Sequence, residues 1–294
     1  MSAHVPVLTS EVLQYLQPER GGLFVDCTVG LGGHARALLA GGATRLIGID
    51  RDEDALGRAG NALAEFAARV ELVHADYREL GDLLAARGID GVDGVLADLG
   101  VSSMQLDEAG RGFSFRRDEA LDMRMDRASG STAAEALAGV DERTLADIIF
   151  RYGEERHSRR IARAIVNARA VTAIETTGRL AEIVRRAIPR KGYSRIDPAT
   201  RTFQAIRIWV NRELEQLDAF LVTTAARLDR GGRFAVISFH SLEDRIVKHT
   251  FRDLQGRDGE FVVRTRRPIV PADDEIERNP RARSAKLRAL ERAA

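Results

Sequence analysis

Four short apolar runs in the first third of the chain each end in an aspartate: Leu23-Phe-Val-Asp26, Leu46-Ile-Gly-Ile-Asp50, Val70-Glu-Leu-Val-His-Ala-Asp76 and Val92-Asp-Gly-Val-Leu-Ala-Asp98. The first run continues into Asp26-Cys-Thr-Val-Gly30-Leu-Gly32-Gly33-His34-Ala35. Glycines there permit a tight turn and let a ligand approach the backbone, and the helix that follows offers free N–H groups to an anion. Gly30, Gly32 and Ala35 also fit a dinucleotide-binding pattern, with Asp50 twenty residues beyond Gly30. On this loop alone NAD binding stays open, whereas a P-loop is excluded because its Lys-Ser/Thr pair is missing. A nucleoside with an amino-acid arm asks for more: an acceptor for two ribose hydroxyls, a stacking face and edge partner for the base, and acceptors for an ammonium. Asp50 suits the ribose, since a carboxylate accepts from vicinal hydroxyls. Asp76 and Tyr77 put a carboxylate and a ring where the base should lie, and Asp98 can reach toward a transferable group.

These residues need a scaffold. The aspartates are separated by 24, 26 and 22 residues, the length of a strand, a helix and their connections. Ala-rich segments with helical patterning, such as 55–68 and 80–87, lie between them. Alternating strand and helix predicts a parallel sheet with right-handed crossovers, in which ligands sit outside the carboxyl ends of the strands. Beyond residue 105 the strand signal stops for about a hundred residues. Leu145, Ile148, Ile149 and Tyr152, and then Leu180, Ile183, Val184, Ala187 and Ile188, form helical stripes. A long helical pattern from Phe203 to Leu228 ends at Gly231-Gly232, and Phe234-Ala-Val-Ile-Ser-Phe239 resumes the sheet. Trp209 falls on the apolar stripe of that helix and reads as core. The expected organisation is α/β: a doubly wound, mostly parallel core in residues 1–105 and 206–294, interrupted by a helical domain at 106–205. The final stretch, from Arg264 onward, is an Arg-rich tail.

The 45 basic and 44 acidic residues give a net charge of only +1, so any nucleic-acid surface must arise from clustering rather than overall charge. Cys27 is the only cysteine, which rules out an intrachain disulfide and a Cys-based zinc site. It reads as a buried structural thiol at a strand end. The first residues lack the basic and apolar regions of a signal peptide, and no apolar stretch reaches membrane-spanning length. A cytoplasmic setting without a membrane partner is expected.

The segment Asp98-Leu-Gly-Val-Ser-Ser-Met-Gln105, together with Gly32-Gly33-His34 and Ile49-Asp50-Arg51-Asp52, resembles the bacterial 16S ribosomal RNA cytosine-N4 methyltransferases. Further matching strings are Arg111-Gly-Phe-Ser-Phe-Arg116, Leu121-Asp-Met-Arg-Met125, Tyr152-Gly-Glu-Glu155, Thr202-Phe-Gln-Ala-Ile-Arg-Ile-Trp-Val-Asn211 and Ser238-Phe-His-Ser-Leu-Glu-Asp-Arg245. The resemblance runs from His4 to Ser284. It implies a class I (Rossmann-like) methyltransferase fold with a helical insertion. It also implies methyl transfer from S-adenosyl-L-methionine to the exocyclic N4 of a cytosine in the decoding region. The family's cofactor contacts fall on Gly32, Gly33, His34, Asp50, Tyr77, Asp98 and Gln105, and no metal is implied. Met104 stands where proline is usual in that turn, and Tyr77 where phenylalanine is common.

Asp98 carries a catalytic expectation beside its cofactor role. Arg111, Phe113 and Arg116 are expected to grip a flipped-out nucleotide, and Arg281, Arg283 and Lys286 of the tail to meet phosphates. His240, at the end of the resumed strand, either shapes the loop or touches substrate. The implied partner is 16S rRNA within the 30S subunit, and a homodimer stays open. Two other functions compete. An NAD-dependent oxidoreductase lacks an evident hydride-transfer acid–base pair and leaves the Asp98 motif unexplained. A non-catalytic RNA-binding assembly factor is disfavoured by Asp98 and the intact glycine loop.

Overall fold

The computed structural model describes residues 6–188, 197–256 and 259–294. His4, where the resemblance begins, and positions 189–196 of the expected insertion lie outside the described residues. The chain forms two compact units, residues 1–100 with 216–294, and Val101–Glu215. Among the described residues no helix is long and apolar enough to cross a membrane.

In chain order the first unit begins α1 (Thr9–Leu16), β1 (Leu23–Asp26), α2 (Gly33–Ala40), β2 (Arg45–Asp50), α3 (Glu53–Ala62), β3 (Val70–His74), α4 (Leu80–Ala86) and β4 (Val92–Asp98). β1 pairs in parallel with both β2 and β4, and β2 with β3, as the repeated spacing predicts. The strands carry branched apolar side chains on both faces because helices cover both sides of a parallel sheet. Phe24, Val25, Leu46, Ile47, Ile49, Val95 and Leu96 are all at most 2% exposed.

The second unit holds α5 (Ser103–Asp107), α6 (Ala133–Gly139), α7 (Glu142–Gly153), α8 (Ser158–Arg169), α9 (Thr177–Ala187) and α10 (Thr200–Asn211). Leu145, Ile149, Leu180, Ile183 and Val184 meet Ile161, Ile165, Phe203 and Ile206 in one core, so the helical stripes are the buried faces. Asp141 and Thr176 cap the N-termini of α7 and α9. Trp209 is half-buried against this core. The unit is wider than the 106–205 expected, because α10 belongs to its core as a whole.

The chain re-enters the first unit with α11 (Leu217–Ala226), β5 (Leu228–Ser238), α12 (Ser241–Gln255), β6 (Phe261–Val263), α13 (Asp273–Arg278) and β7 (Lys286–Arg292). The sheet order is β3-β2-β1-β4-β5-β7-β6, with β7 antiparallel to β5 and β6. Two features depart from the sequence reading. The helix expected over 203–228 is two helices, separated where Arg212 and Gln216 take left-handed backbone conformations. Gly231 and Gly232 lie inside β5, beside the register shift of its pairing with β4, and do not end a helix.

The Arg-rich tail is also not a tail. Leu287, Ala289 and Leu290 of β7 are core residues. On the same strand Arg288 is buried and donates from Nε to Asp244 Oδ1 at 2.7 Å, while Lys286 Nζ reaches Asp244 Oδ2 at 3.1 Å. Lys286 is therefore committed to an ion pair within the fold, and Arg281 lies in a 3-10 turn, Pro280–Ser284, that is capped by Asn279 and holds buried Ala282.

Candidate functional site

The carboxyl ends of β1 to β4 gather the expected residues of the first unit. Asp26, at the end of β1, is 1% exposed; its Oδ1 accepts from Thr28 N at 3.1 Å, and its Oδ2 is buried without a hydrogen-bond partner. Burial pushes its carboxyl up to about 7, against the opposing pull of His34 and the Thr28 N–H. Cys27, next along, is fully buried and its thiol is pushed well up by the same desolvation.

The glycine loop turns the chain from β1 into α2. Gly32 is the residue before the helix and has φ of +82°, a conformation that glycine adopts without steric cost. At Gly33 a Cβ would stand 2.4 Å from Pro6 Cγ, so the close approach of the N-terminal segment needs glycine there. His34 follows in the first turn, 6% exposed, with neither ring nitrogen hydrogen-bonded. Its Nε2 lies 3.6 Å from Asp98 Oδ2, an ion-pair distance too long for a hydrogen bond. Burial alone would lower the imidazole's pKa, but the carboxylates of Asp98 and Asp26 outweigh it and raise it.

Asp98 ends β4. Its backbone N–H donates to Thr28 Oγ1 at 2.7 Å, tying the two strand ends together, and its Oδ1 is buried without a partner. The side chain remains 24% exposed, so the carboxylate has one open side. Asp50, at the end of β2, is half-buried and accepts from Gly30 N at 2.8 Å through Oδ2 and from Asp52 N at 2.9 Å through Oδ1. Burial raises its pKa in spite of those two bonds. The carboxylate is thus fixed against the glycine loop by two backbone donors, with lone pairs left over.

Asp76 is less available than the sequence reading expected. It caps the 3-10 turn Tyr77–Glu79 and is held by the guanidinium groups of Arg78 and Arg51, which keep its carboxyl low although burial works the other way. The neighbouring Tyr77 ring packs edge-on against Phe220, with centroids 4.6 Å apart, and desolvation pushes its phenol up. Gln105 belongs to the second unit. There its side-chain oxygen accepts from Ser102 N at 3.0 Å while Ser102 Oγ accepts from Gln105 N, a reciprocal cap at the start of α5. The first unit therefore brings Gly32, Gly33, His34, Asp50, Tyr77 and Asp98 to one sheet edge, and Gln105 has a structural task in the other unit.

The structure bears on two other expectations. Arg111 and Phe113 are buried, and Arg111 donates from Nη2 to Met125 O at 2.9 Å inside the second unit, so neither reaches a nucleotide; only Arg116 of that trio is exposed. His240 caps α12: Nδ1 accepts from Glu243 N, and Nε2 lies 3.1 Å from Glu243 Oε1. That arrangement shapes the loop after β5. Asp26 is the group whose importance the sequence understated. It was visible as a strand-end carboxylate, but its full burial beside His34 follows only from three-dimensional packing.

The buried acceptors at the edge, Asp26 Oδ2 and Asp98 Oδ1, suit a cationic ligand group, and Asp50 suits a ribose. Comparison with known proteins points the same way. Residues 1–293 match the model of the MraW methylase family. The chain is 51% identical over 98% of its length to ribosomal RNA small subunit methyltransferase H of Bradyrhizobium diazoefficiens, with 91% of that relative covered. The protein of the same name from Deinococcus radiodurans is 54% identical, with 99% of this chain and 90% of the relative covered. That from Nitratidesulfovibrio vulgaris is 50% identical over 99% and 96%. With a match along nearly its whole length and about half of its residues shared with such relatives, the chain belongs to the MraW methylase family.

Proposed function

We propose that this protein transfers the methyl group of S-adenosyl-L-methionine to the exocyclic N4 of a cytosine in the decoding region of 16S rRNA, acting on the 30S subunit in the cytoplasm. The observation that carries this reading is the set of carboxylates at the ends of β1, β2 and β4, with Asp26 Oδ2 and Asp98 Oδ1 buried and unpartnered. The substrate follows from the relatives' name, ribosomal RNA small subunit methyltransferase H.

Gly32, Gly33 and His34 hold the amino-acid arm near the start of α2, Asp50 accepts from the ribose hydroxyls, and Tyr77 lies against the base. Bound there, the cofactor supplies a methyl carbon made electrophilic by its sulfonium. The chain's own work concerns the acceptor, because the N4 lone pair of cytosine is delocalised into the ring. A hydrogen-bond acceptor beside the amino group favours a pyramidal nitrogen, orients it and disperses developing positive charge. Asp98 presents such an acceptor, and its single open side limits the directions of approach. His34, 3.6 Å from the other carboxylate oxygen, holds Asp98 in place. A strong base is not required, since the N4 proton becomes acidic as the new bond forms.

The test is methylation of 30S subunits from a strain lacking this activity, with labelled cofactor and mapping of the modified nucleoside. N4-methylcytosine at one position of 16S rRNA is expected. Label in another nucleoside, or none in the presence of protein that binds S-adenosylhomocysteine, contradicts the proposal. Naked 16S rRNA in parallel separates assembled from free substrate.

A further inference from the structure

We propose that the elbow between α7 and α8 docks the phosphate backbone of single-stranded RNA, with Phe150 as a stacking platform for one base. This rests on the methyltransferase reading for the identity of the polymer, and extends it to a surface that none of the expected site residues occupies.

The chain balances its charges closely, and several arginines of the helical unit pair locally. Arg163 pairs with Glu142, Arg185 with Asp197 and Arg207 with Glu213. The elbow gathers four that do not. Arg151, in the last turn of α7, and Arg156, Arg159 and Arg160, around the start of α8, are all exposed and have no carboxylate partner among the described residues. Arg201, from the start of α10, donates to the Glu154 carbonyl and brings a fifth guanidinium to the same end. Of the two acids in the turn, Glu155 is buried and caps the chain by accepting from His157 N at 2.8 Å.

Placement makes these arginines costly to the fold. The start of a helix carries partial positive charge, so basic residues there are unfavourable and acidic ones favourable. The first turns of α3 and α12 follow the rule, with Glu53 and Asp54, and Glu243 and Asp244. α8 has no acid in its first turn and presents Arg159 and Arg160 instead. Both project away from buried Ile161, Ala162 and Ile165, so they contribute nothing to the core. Cations held without a fold partner, where the helix itself repels them, fit an anion that arrives from outside.

Phe150 narrows the anion's class. It is 59% exposed, and it is the only aromatic side chain among the large apolar residues exposed in the described structure. It directly precedes Arg151 in the last turns of α7. An exposed ring in the last turns of a helix whose end carries unpaired arginines is a combination suited to single-stranded nucleic acid, where guanidinium groups follow the phosphates and a ring stacks on a base. A duplex would leave the ring without an unstacked base to meet. A membrane surface would call for a band of apolar side chains, and Phe150 stands alone in a charged patch.

The experiment compares the wild type, the triple variant Arg156→Ala, Arg159→Ala, Arg160→Ala and the single variant Phe150→Ala. Binding to 30S subunits and to a single-stranded 16S rRNA fragment is measured across a range of KCl. Calorimetry with S-adenosylhomocysteine, expected to be unchanged, confirms that each variant is folded. The triple variant should lose at least tenfold in RNA affinity at low salt. Its plot of log K against log salt should be shallower by about 2, from about 0.7 per lost contact on a single strand. Phe150→Ala should lose about fivefold or more with its slope unchanged, as expected for loss of stacking. A triple variant with wild-type affinity and slope, while the wild type methylates RNA, overturns the elbow alone. A wild type that binds S-adenosylhomocysteine yet neither binds nor methylates RNA overturns the functional reading as well. Arginine-dependent binding to phosphatidylglycerol vesicles with RNA binding untouched assigns the patch to lipid and overturns the proposal.

Discussion

On the proposed reading, Asp50 is a ligand contact prepared before the ligand arrives. Its two oxygens are held by Gly30 N and Asp52 N, so little side-chain freedom is left to lose when a ribose is bound. Charge-assisted hydrogen bonds contribute about 1.5–3 kcal/mol each, and Asp50→Ala should weaken S-adenosylhomocysteine binding by at least tenfold in calorimetry. An unchanged dissociation constant in the folded variant would remove Asp50 from the site. Asp98 poses a different question, because the open side of its carboxylate can serve the cofactor or the cytosine. Asp98→Asn keeps the shape and one acceptor but removes the charge. If Asp98 acts on N4, single-turnover transfer at saturating cofactor should fall by about 10²-fold or more. A wild-type rate at saturation, with only a higher cofactor requirement, would confine Asp98 to binding. At this scale the strand-end carboxylates and the glycine loop were legible, since their spacing reports the topology that positions them. Arg111 and Phe113 were misread, because a sequence does not reveal that carbonyls of residues 124 and 125 will absorb a guanidinium.

Elements formed by neighbours in sequence were easier to read than those formed by distant partners. β1 to β4 were apparent from their apolar runs and common aspartate ending. β7 was not, because Lys286-Leu-Arg-Ala-Leu-Glu-Arg292 is too charged to suggest a strand unless its partner is known. The partner is Asp244 on α12, which takes Arg288 and Lys286 together and whose carboxyl they hold low against the effect of burial. Arg233 on β5 and Glu291 on β7 add a cross-strand pair at 2.8 Å. Removing one member of a buried pair leaves the other charge uncompensated, at a cost of about 3–5 kcal/mol. Asp244→Ala should accordingly destabilise the protein by about 3 kcal/mol in urea unfolding, with β7 losing amide protection in hydrogen exchange. Loss of less than about 1 kcal/mol, the range of surface pairs, would show that Arg288 finds water instead. The break between α10 and α11 was hidden for a related reason. Apolar periodicity continues through Arg212 and Gln216, and only packing into separate units makes the chain turn there.

Stability belongs to the whole molecule, and the buried carboxyl of Asp26, at the end of β1, should set its pH dependence. Asp26 ionises near 4 in an unfolded chain and near about 7 in the fold. Between those values the folded state keeps a proton that the unfolded state has released. Raising the pH therefore favours unfolding, with a slope of up to roughly 1.4 kcal/mol per pH unit for one proton. His34 adds to this in the same direction. Its raised pKa gives a stabilising contribution that is complete below the unfolded value and is lost as pH rises through the folded one. Asp76, Asp122 and Asp244 act oppositely: their lowered pKa values give stability that is present above about pH 4 and lost in acid. The cofactor-free protein should thus be most stable near pH 5 and less stable at pH 8, the reverse of a protein governed by surface ion pairs alone. Asp26→Asn keeps an oxygen to accept from Thr28 N but has no charge to desolvate. Its urea midpoint should exceed that of the wild type at pH 8 and vary less between pH 5 and pH 7, with the His34 and Asp50 contributions remaining. A wild-type protein whose midpoint rises from pH 5 to pH 8, or an Asp26→Asn profile parallel to it, would mean that Asp26 stays ionised in the fold through a cation supplied by the surrounding site.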